Sequence, residues 1–285
     1  MYKNLSLSAL GHSISFDEVC ALAKLNGFAG VELDLEFLQA LGSPQAAADW
    51  FASTGLLAGG FALSTPWRET DTDEAFGTAL DAVAVDATYA AALGCKRCFT
   101  WVPPCSATLD YYQHFDLVVP RLIRVAEVLG AYGSMLGFGF FGPLTMRDLH
   151  VKDFVHTLDG ARSFAAAIGM HSLNTGVVLD SFHWHTSHGS IREIEHLDHH
   201  EVVYAQLNDA VLGRSVDELR NDETELVGAT GVINVEGFLG ALRKIGYTGP
   251  LTVATSSATM TAMSPSAAAA AASKALDQAL HFERR

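Results

Sequence analysis

Short hydrophobic runs alternate with longer segments of helical periodicity along this chain. Eight runs have the length and the apolar or β-branched content of buried strands. They are Lys3 to Leu7, Gly30 to Asp34, Leu56 to Leu63, Arg97 to Trp101, Met135 to Phe141, Gly176 to Asp180, Val202 to Leu207 and Leu251 to Ala254. Alternation of such runs with helical segments is typical of a parallel sheet built from β-α units.

The segments between the runs carry helix signals. Ser15 with Glu18 three residues later is a capping-box pattern, and Asn26-Gly27 ends the helix that it begins. Further helices are predicted over Asp73 to Leu93, Phe115 to Tyr132, part of Thr157 to Ile168, Val235 to Ile245 and the alanine-rich segment 264–280. Eight strands, each followed by a helix, predict a single-domain (β/α)8 TIM barrel over residues 1–285. Active sites of that fold lie at the C-terminal ends of the strands.

Composition narrows the possible partners. The formal net charge is -14 and no run is rich in Lys or Arg, so we expect no binding to nucleic acid. No segment approaches the roughly 20 apolar residues of a membrane span, and the N-terminus lacks a secretion signal, so we expect a cytoplasmic protein without membrane partners. The four cysteines are expected to be free thiols, because Cys95 and Cys98 have no second pair to complete a zinc site.

Five stretches, taken together in this order, resemble the xylose-isomerase-like TIM barrels. They are GFAGVELDL from Gly27, FFGPLTMR from Phe140, VVLDSFHWHTS from Val177, QLNDA from Gln206 and GVINVEGFLGALRKIGYTGPLTV from Gly231. The family contains sugar-phosphate isomerases and epimerases, together with inosose dehydratases, hydroxypyruvate isomerases and an AP-endonuclease branch. The resemblance therefore implies a barrel enzyme acting on a small metabolite.

The resemblance also implies one divalent metal, held by side chains that close strands five to eight. The family uses Glu, Asp, His and Glu there, and the matching positions in this chain are Gly139, Asp180, Gln206 and Ala254. Only Asp180 keeps its ligand. One carboxylate and one amide compete poorly for a divalent ion, so we expect no cofactor and a metal-independent reaction.

The segment DSFHWHTSH, from Asp180 to His188, is the densest group of titratable side chains. The resemblance implies that His183, three residues after the aspartate, contacts substrate. We expect His183 to act as a general acid or base near pH 6.5, with Asp180 orienting or charging it. Glu32 is a possible replacement base, because alternation along its strand directs it into the barrel mouth. Structural roles for these three side chains remain open.

Further residues are expected to bind substrate at the same end of the barrel. They are Gln206, Asn208, His12, Trp67, Trp101, Phe141, Trp184 and Arg214. Gly139 and Ala254 are expected to leave free volume at the floor of the pocket.

Three functional interpretations follow. The first is a metal-independent isomerase, epimerase, dehydratase or cyclase that moves a proton on a small polyol-like or carbonyl metabolite. The second is a non-catalytic ligand-binding relative, since no nucleophile-base pair is evident. The third is a metal-dependent sugar isomerase or epimerase whose metal site has moved. Association into a homo-oligomer is left open by the sequence.

Overall fold

All eight predicted runs fold as strands of one closed parallel barrel. The computed structural model describes residues 1–147, 151–170, 172–255 and 257–281. Its barrel strands are β1 (Tyr2–Leu5), β2 (Gly30–Glu32), β3 (Leu57–Ala62), β4 (Arg97–Val102), β5 (Met135–Phe140), β6 (Thr175–Asp180), β7 (Val202–Leu207) and β8 (Pro250–Val253). Each strand pairs with its neighbours in chain order and β8 pairs with β1, so the predicted TIM barrel is confirmed.

Helices cover the outside of the barrel. They are α1 (Phe16–Leu25), α2 (Leu35–Ala40), α3 (Pro44–Thr54), α4 (Asp73–Ala92), α5 (Tyr111–Ala131), α6 (Leu158–Ile168), α7 (Ser181–Thr186), α8 (Ile191–Glu195), α9 (Val235–Lys244), α10 (Ala258–Ala262) and α11 (Pro265–His281). The capping box of Ser15 and Glu18 is present at the start of α1. Helix α5 begins four residues before the predicted Phe115, because the side chain of Asp110 caps it by accepting the N–H of Gln113.

Side chains that alternate along the strands fill the barrel interior. Phe99, Val178 and Tyr204 form one buried cluster there, with Trp101 packed against it at the upper end of β4. The hydroxyl of Tyr204 lies 2.7 Å from Thr252 Oγ1 and accepts a hydrogen bond from the side-chain amide of Asn4 at 2.8 Å. The interior is therefore closed below the C-terminal ends of the strands, and the cavities at those ends open outward.

No helix in the described parts of the chain is both long and apolar enough to cross a membrane. Cys20, Cys95 and Cys98 are buried free thiols, as expected.

Candidate functional site

A cavity of about 200 Å³ opens at the C-terminal ends of the later strands, and we call it the β6–β7 cavity. It brings together six of the side chains expected from the sequence with Ala254. Its lining is Ala9, Trp101, Phe141, Asp180, Phe182, His183, Gln206, Asn208, Asn221, Thr224 and Ala254. Aromatic rings thus form one wall, while a carboxylate, an imidazole and three amides supply its polar groups.

Asp180 ends β6 and caps α7. Its Oδ1 accepts the backbone N–H groups of Phe182 at 2.8 Å and His183 at 3.0 Å, and its Oδ2 accepts the amide of Asn208 at 2.8 Å. Burial raises the pKa of Asp180 to about 7, because these three hydrogen bonds offset only part of the desolvation. From the sequence we expected Asp180 to orient the imidazole of His183. In the structure it instead accepts the backbone N–H of His183.

His183 is buried between two aromatic rings. Its ring centroid lies 5.0 Å from that of Trp101 and 5.2 Å from that of Phe141. Burial lowers the pKa of His183 to about 3, so the imidazole is neutral at pH 7. The N–H of Gly142 donates to Nδ1 at 3.4 Å, which assigns the ring proton to Nε2. This lowered pKa argues against proton exchange at His183 near pH 6.5 and favours a role as a neutral hydrogen-bond donor.

Trp101 occupies the space beside Gly139. A Cβ atom at position 139 would lie only 2.7 Å from Cε3 of the Trp101 indole. The expected free volume at Gly139 is thus filled by a ring from the neighbouring strand β4, where Trp101 pairs with Gly139. Ala254 does border the cavity. Trp101 and Gly139 lie at the same level of adjacent strands. That pairing could have indicated from the sequence that the indole fills the space beside the glycine.

A second cavity of about 260 Å³ opens at the ends of β1 and β2, and we call it the β1–β2 cavity. It contains Glu32 and His12 together with Ser6, Ser8 and Ser13. Burial raises the pKa of Glu32 to about 7, against the hydrogen bonds from Ser6 and Tyr204. The hydroxyl of Tyr204 donates to Glu32 Oε2 at 3.3 Å.

The turn of 3-10 helix at Ser8–Leu10 lies between the two cavities. Ser8 lines the β1–β2 cavity and Ala9 lines the β6–β7 cavity. Glu32 and His12 therefore line a different cavity from Asp180 and His183. The Nε2 of His12 lies 3.0 Å from the carbonyl oxygen of Met260, which ties this histidine to α10.

Trp67, Trp184 and Arg214 line neither cavity. The indole of Trp67 is fully buried and donates to Thr100 Oγ1 at 3.3 Å. The indole of Trp184 donates to the carbonyl of Ser190 at 3.3 Å and packs on Phe238. Arg214 is exposed and pairs with Glu223 at 2.9 Å. We therefore assign substrate contact to none of the three.

Asp209 is a buried residue of this region that sequence analysis did not single out. Its Oδ2 accepts the N–H groups of Thr230 and Gly231, and its Oδ1 accepts those of Ala210 and Ile233. Three of these four bonds hold the loop that leads into α9. In the sequence, its position in QLNDA, just after a buried strand, could have indicated that this acidic side chain accepts hydrogen bonds at the end of the barrel.

Comparison with known proteins places this geometry in context. Residues 20–279 match the family model described as xylose isomerase-like TIM barrel. An inosose isomerase of Halalkalibacterium halodurans is 28% identical over 132 residues, which cover 46% of this chain and 43% of that protein. The matched part thus spans less than half of that curated relative.

Two solved structures share the fold over nearly their whole length. A xylose isomerase domain protein from Alicyclobacillus acidocaldarius has a TM-score of 0.88 and 23% identity, with 100% of both chains covered. The IolI protein with a zinc atom has a TM-score of 0.81 and 16% identity, with 99% of both chains covered. At these identities the likeness concerns the fold.

The expectation that no cofactor is used is contradicted by the IolI structure, in which this same fold holds a zinc atom. That expectation is withdrawn. The four family positions themselves do not fit an ion: the side chains of Gly139 and Ala254 offer no ligand atom, which leaves one carboxylate and one amide. A metal in this chain would need donors besides these four, so no step below is routed through one.

Proposed function

Because the chain belongs to the xylose isomerase-like TIM barrel family, we propose that it is an isomerase or epimerase for a small polyhydroxy carbonyl compound bound in the β6–β7 cavity. One observation carries the proposal. A carboxyl group with a pKa of about 7 and a neutral imidazole line the same cavity at the C-terminal ends of the strands. One relative that matches part of the chain is an inosose isomerase, which is consistent with a cyclic or open-chain sugar-like ketone as substrate.

Asp180 is the proposed proton-transfer group. A carboxylate can accept about four hydrogen bonds, and three are made here, so one position on Oδ2 remains for substrate. A pKa near the working pH suits a group that takes a proton from the carbon beside a carbonyl and returns it to the neighbouring carbon or to the other face. The proton is thus conserved over the reaction, as an isomerisation or epimerisation requires.

His183 is the proposed partner of the substrate carbonyl. Removal of the proton leaves negative charge on the carbonyl oxygen, and a donor that needs no reorganisation stabilises it. A neutral imidazole with its proton on Nε2 can donate a hydrogen bond to that oxygen. The side-chain amides of Gln206 and Asn208 line the same cavity and supply contacts for substrate hydroxyl groups.

Specific observations also support two alternative functions. Glu32 also has a pKa of about 7, which favours chemistry in the β1–β2 cavity. The hydrogen bonds on Asp180 also suit a fixed structural carboxylate, which favours ligand binding without catalysis.

Exchange of substrate protons with solvent tests these possibilities. The protein would be incubated in D₂O with inososes and with pentuloses, as purified, after chelator treatment and with added zinc, and deuterium uptake followed by ¹H NMR. We expect Asp180→Asn to slow uptake by roughly 10²- to 10⁴-fold and His183→Gln by roughly 10²- to 10³-fold. The exposed residues Asp116 and His196 provide matched controls, Asp116→Asn and His196→Gln, which should exchange at the wild-type rate.

The variant Glu32→Gln tests which of the two cavities holds the reaction. We expect it to retain most of the exchange rate. Loss of exchange in Glu32→Gln with retention in Asp180→Asn would move the chemistry to the β1–β2 cavity. Substrate binding with neither deuterium uptake nor formation of an isomer in the ¹H NMR spectrum would identify a binding protein.

A further inference from the structure

The opposite, N-terminal end of the barrel carries a separate cavity of about 330 Å³, which we call the basal cavity. It is formed where the strands begin and is lined by Lys96, Arg97, Met135, His199, His200, Val202, Val203, Tyr247, Thr248 and Gly249. None of its lining side chains is acidic. In a chain with a net charge of -14, this concentration of basic side chains is a local exception.

Arg97 points towards the barrel interior from the first position of β4. Residues two apart in a strand share a face, and Phe99 and Trp101 belong to the interior cluster. Arg97 therefore lies beneath them, near the lower end of the barrel. It also lines an adjoining cavity of about 660 Å³.

The guanidinium of Arg97 forms no ion pair or hydrogen bond with any residue in the described parts of the chain, although its side chain is only partly exposed. Burial raises the pKa of the phenols of Tyr2 and Tyr247, and the positive charge of Arg97 offsets part of this rise. The guanidinium therefore lies near both phenols. A partly desolvated charge without a counterion is unfavourable, and a bound anion would relieve it.

Three further basic groups surround Arg97 at the rim. Lys96 precedes it, and His199 and His200 lie across the cavity. The nearby carboxylate of Asp198 is engaged with its own neighbours, His199 Nδ1 at 3.2 Å and the N–H of His200 at 2.9 Å. Asp49 lines the adjoining cavity and not this one. The positive charge of the basal cavity is therefore not neutralised from within it.

We propose that the basal cavity binds a small anion bearing a phosphate group, with Arg97 as its main contact. The planar guanidinium can donate two parallel hydrogen bonds to phosphate oxygens, Lys96 adds positive charge at the rim, and the two imidazoles offer further hydrogen-bonding groups. The cavity volume lies within the range of small-molecule sites. This site is at the other end of the barrel from the proposed reaction and does not depend on it.

A metal ion is the competing occupant. Ligand atoms of Asp198, His199 and His200 lie within 4.8 Å of one another on the surface. Lys96 and Arg97 line the same cavity as the two histidines, and their charges repel a divalent cation. The charge pattern therefore favours the anion.

Isothermal titration calorimetry with inorganic phosphate and with glycerol 3-phosphate tests the proposal at low salt. We expect Arg97→Met to weaken binding at least tenfold and Lys96→Met to weaken it about threefold, because charge-assisted contacts are lost. Arg192 is exposed and outside the cavity, so Arg192→Met is the matched control and should bind as the wild type does. If both compounds bind, the phosphate group alone determines binding. If glycerol 3-phosphate binds and inorganic phosphate does not, the site requires a phosphate monoester.

Several results would overturn the proposal. These are the absence of binding to both compounds, equal affinity in Arg97→Met, or zinc binding that is lost in His199→Gln while phosphate fails to bind. A change in sedimentation mass in Arg97→Met without phosphate binding would assign this face to self-association instead. If Arg97→Met does not fold, the exposed rim variants Lys96→Met and His200→Gln give the same test.

Discussion

Trp101 determines which residues are tolerated at position 139. Its indole lies where a side chain from position 139 would begin, and it also contacts the rings of His183 and Phe141. A change at Gly139 therefore reaches the imidazole that we assign to the substrate carbonyl. The two positions should behave as a coupled pair.

We expect Gly139→Ala to lower the free energy of unfolding by about 1 to 3 kcal/mol, because it overpacks a filled interior. Trp101→Leu should relieve the clash, so the double variant should be more stable than the sum of the single changes predicts, by about 0.5 kcal/mol or more. Urea unfolding measures all three. Gly77→Ala in α4, where a Cβ meets nothing, should be neutral or slightly stabilising. Strict additivity of the two changes would mean that Trp101 moves freely.

The buried carboxyl of Asp180 should also appear in the pH dependence of stability. Its pKa rises from 3.8 to about 7 on folding, so its stabilising contribution is complete below about pH 4 and is lost as the pH rises to 7. His183 acts in the opposite sense, since its pKa falls from 6.5 to about 3 and stability is lost as the pH falls through that range.

Comparison of wild type with Asp180→Asn isolates the aspartate. Between pH 5 and 7 we expect the wild type to lose roughly 2 to 3 kcal/mol that the variant does not lose, since one unit of pKa shift corresponds to about 1.4 kcal/mol. The His183 contribution cancels in the difference. Unfolding in urea at each pH provides the slopes, and parallel slopes for the two proteins would show that Asp180 titrates alike when folded and unfolded.

At the scale of secondary structure elements, the strands were predictable because buried parallel strands form nearly continuous apolar runs. Each predicted run overlaps its strand with ends within two residues. Helices α2 and α3 were missed although Ser43-Pro44 is a start signal for α3, where Ser43 accepts the N–H of Ala46. The grouping of side chains into two cavities was not predictable, because it depends on how the Ser8–Leu10 turn is placed.

The loop before α9 offers a test at this scale. Asp209 accepts four backbone N–H groups, three of them from the loop at Thr230, Gly231 and Ile233. We expect Asp209→Ala to lower the free energy of unfolding by roughly 3 kcal/mol or more, since buried donors lose their acceptor. Asp209→Asn keeps one acceptor oxygen and should lose less. Hydrogen exchange of Thr230, Gly231 and Ile233 should quicken in the alanine variant; unchanged protection there would mean that the loop is held by other contacts.

At the scale of the whole molecule, the barrel separates the two proposed sites. Arg97 and Trp101 lie four residues apart on β4, which corresponds to about 13 Å at the usual rise of a strand. One lines the basal cavity and the other lines the β6–β7 cavity. The packed interior of Phe99, Val178 and Tyr204 lies between them.

Changes at the two ends should therefore be independent. Stability effects of residues more than about 10 Å apart with no shared partner usually add within about 0.5 kcal/mol. We expect the effects of Arg97→Met and Asp180→Asn on the free energy of unfolding to add within that margin in the double variant. Phosphate should likewise leave the rate of substrate proton exchange unchanged. A coupling above about 1 kcal/mol would mean that strand β4 or the interior side chains packed on it transmit a change from one end to the other.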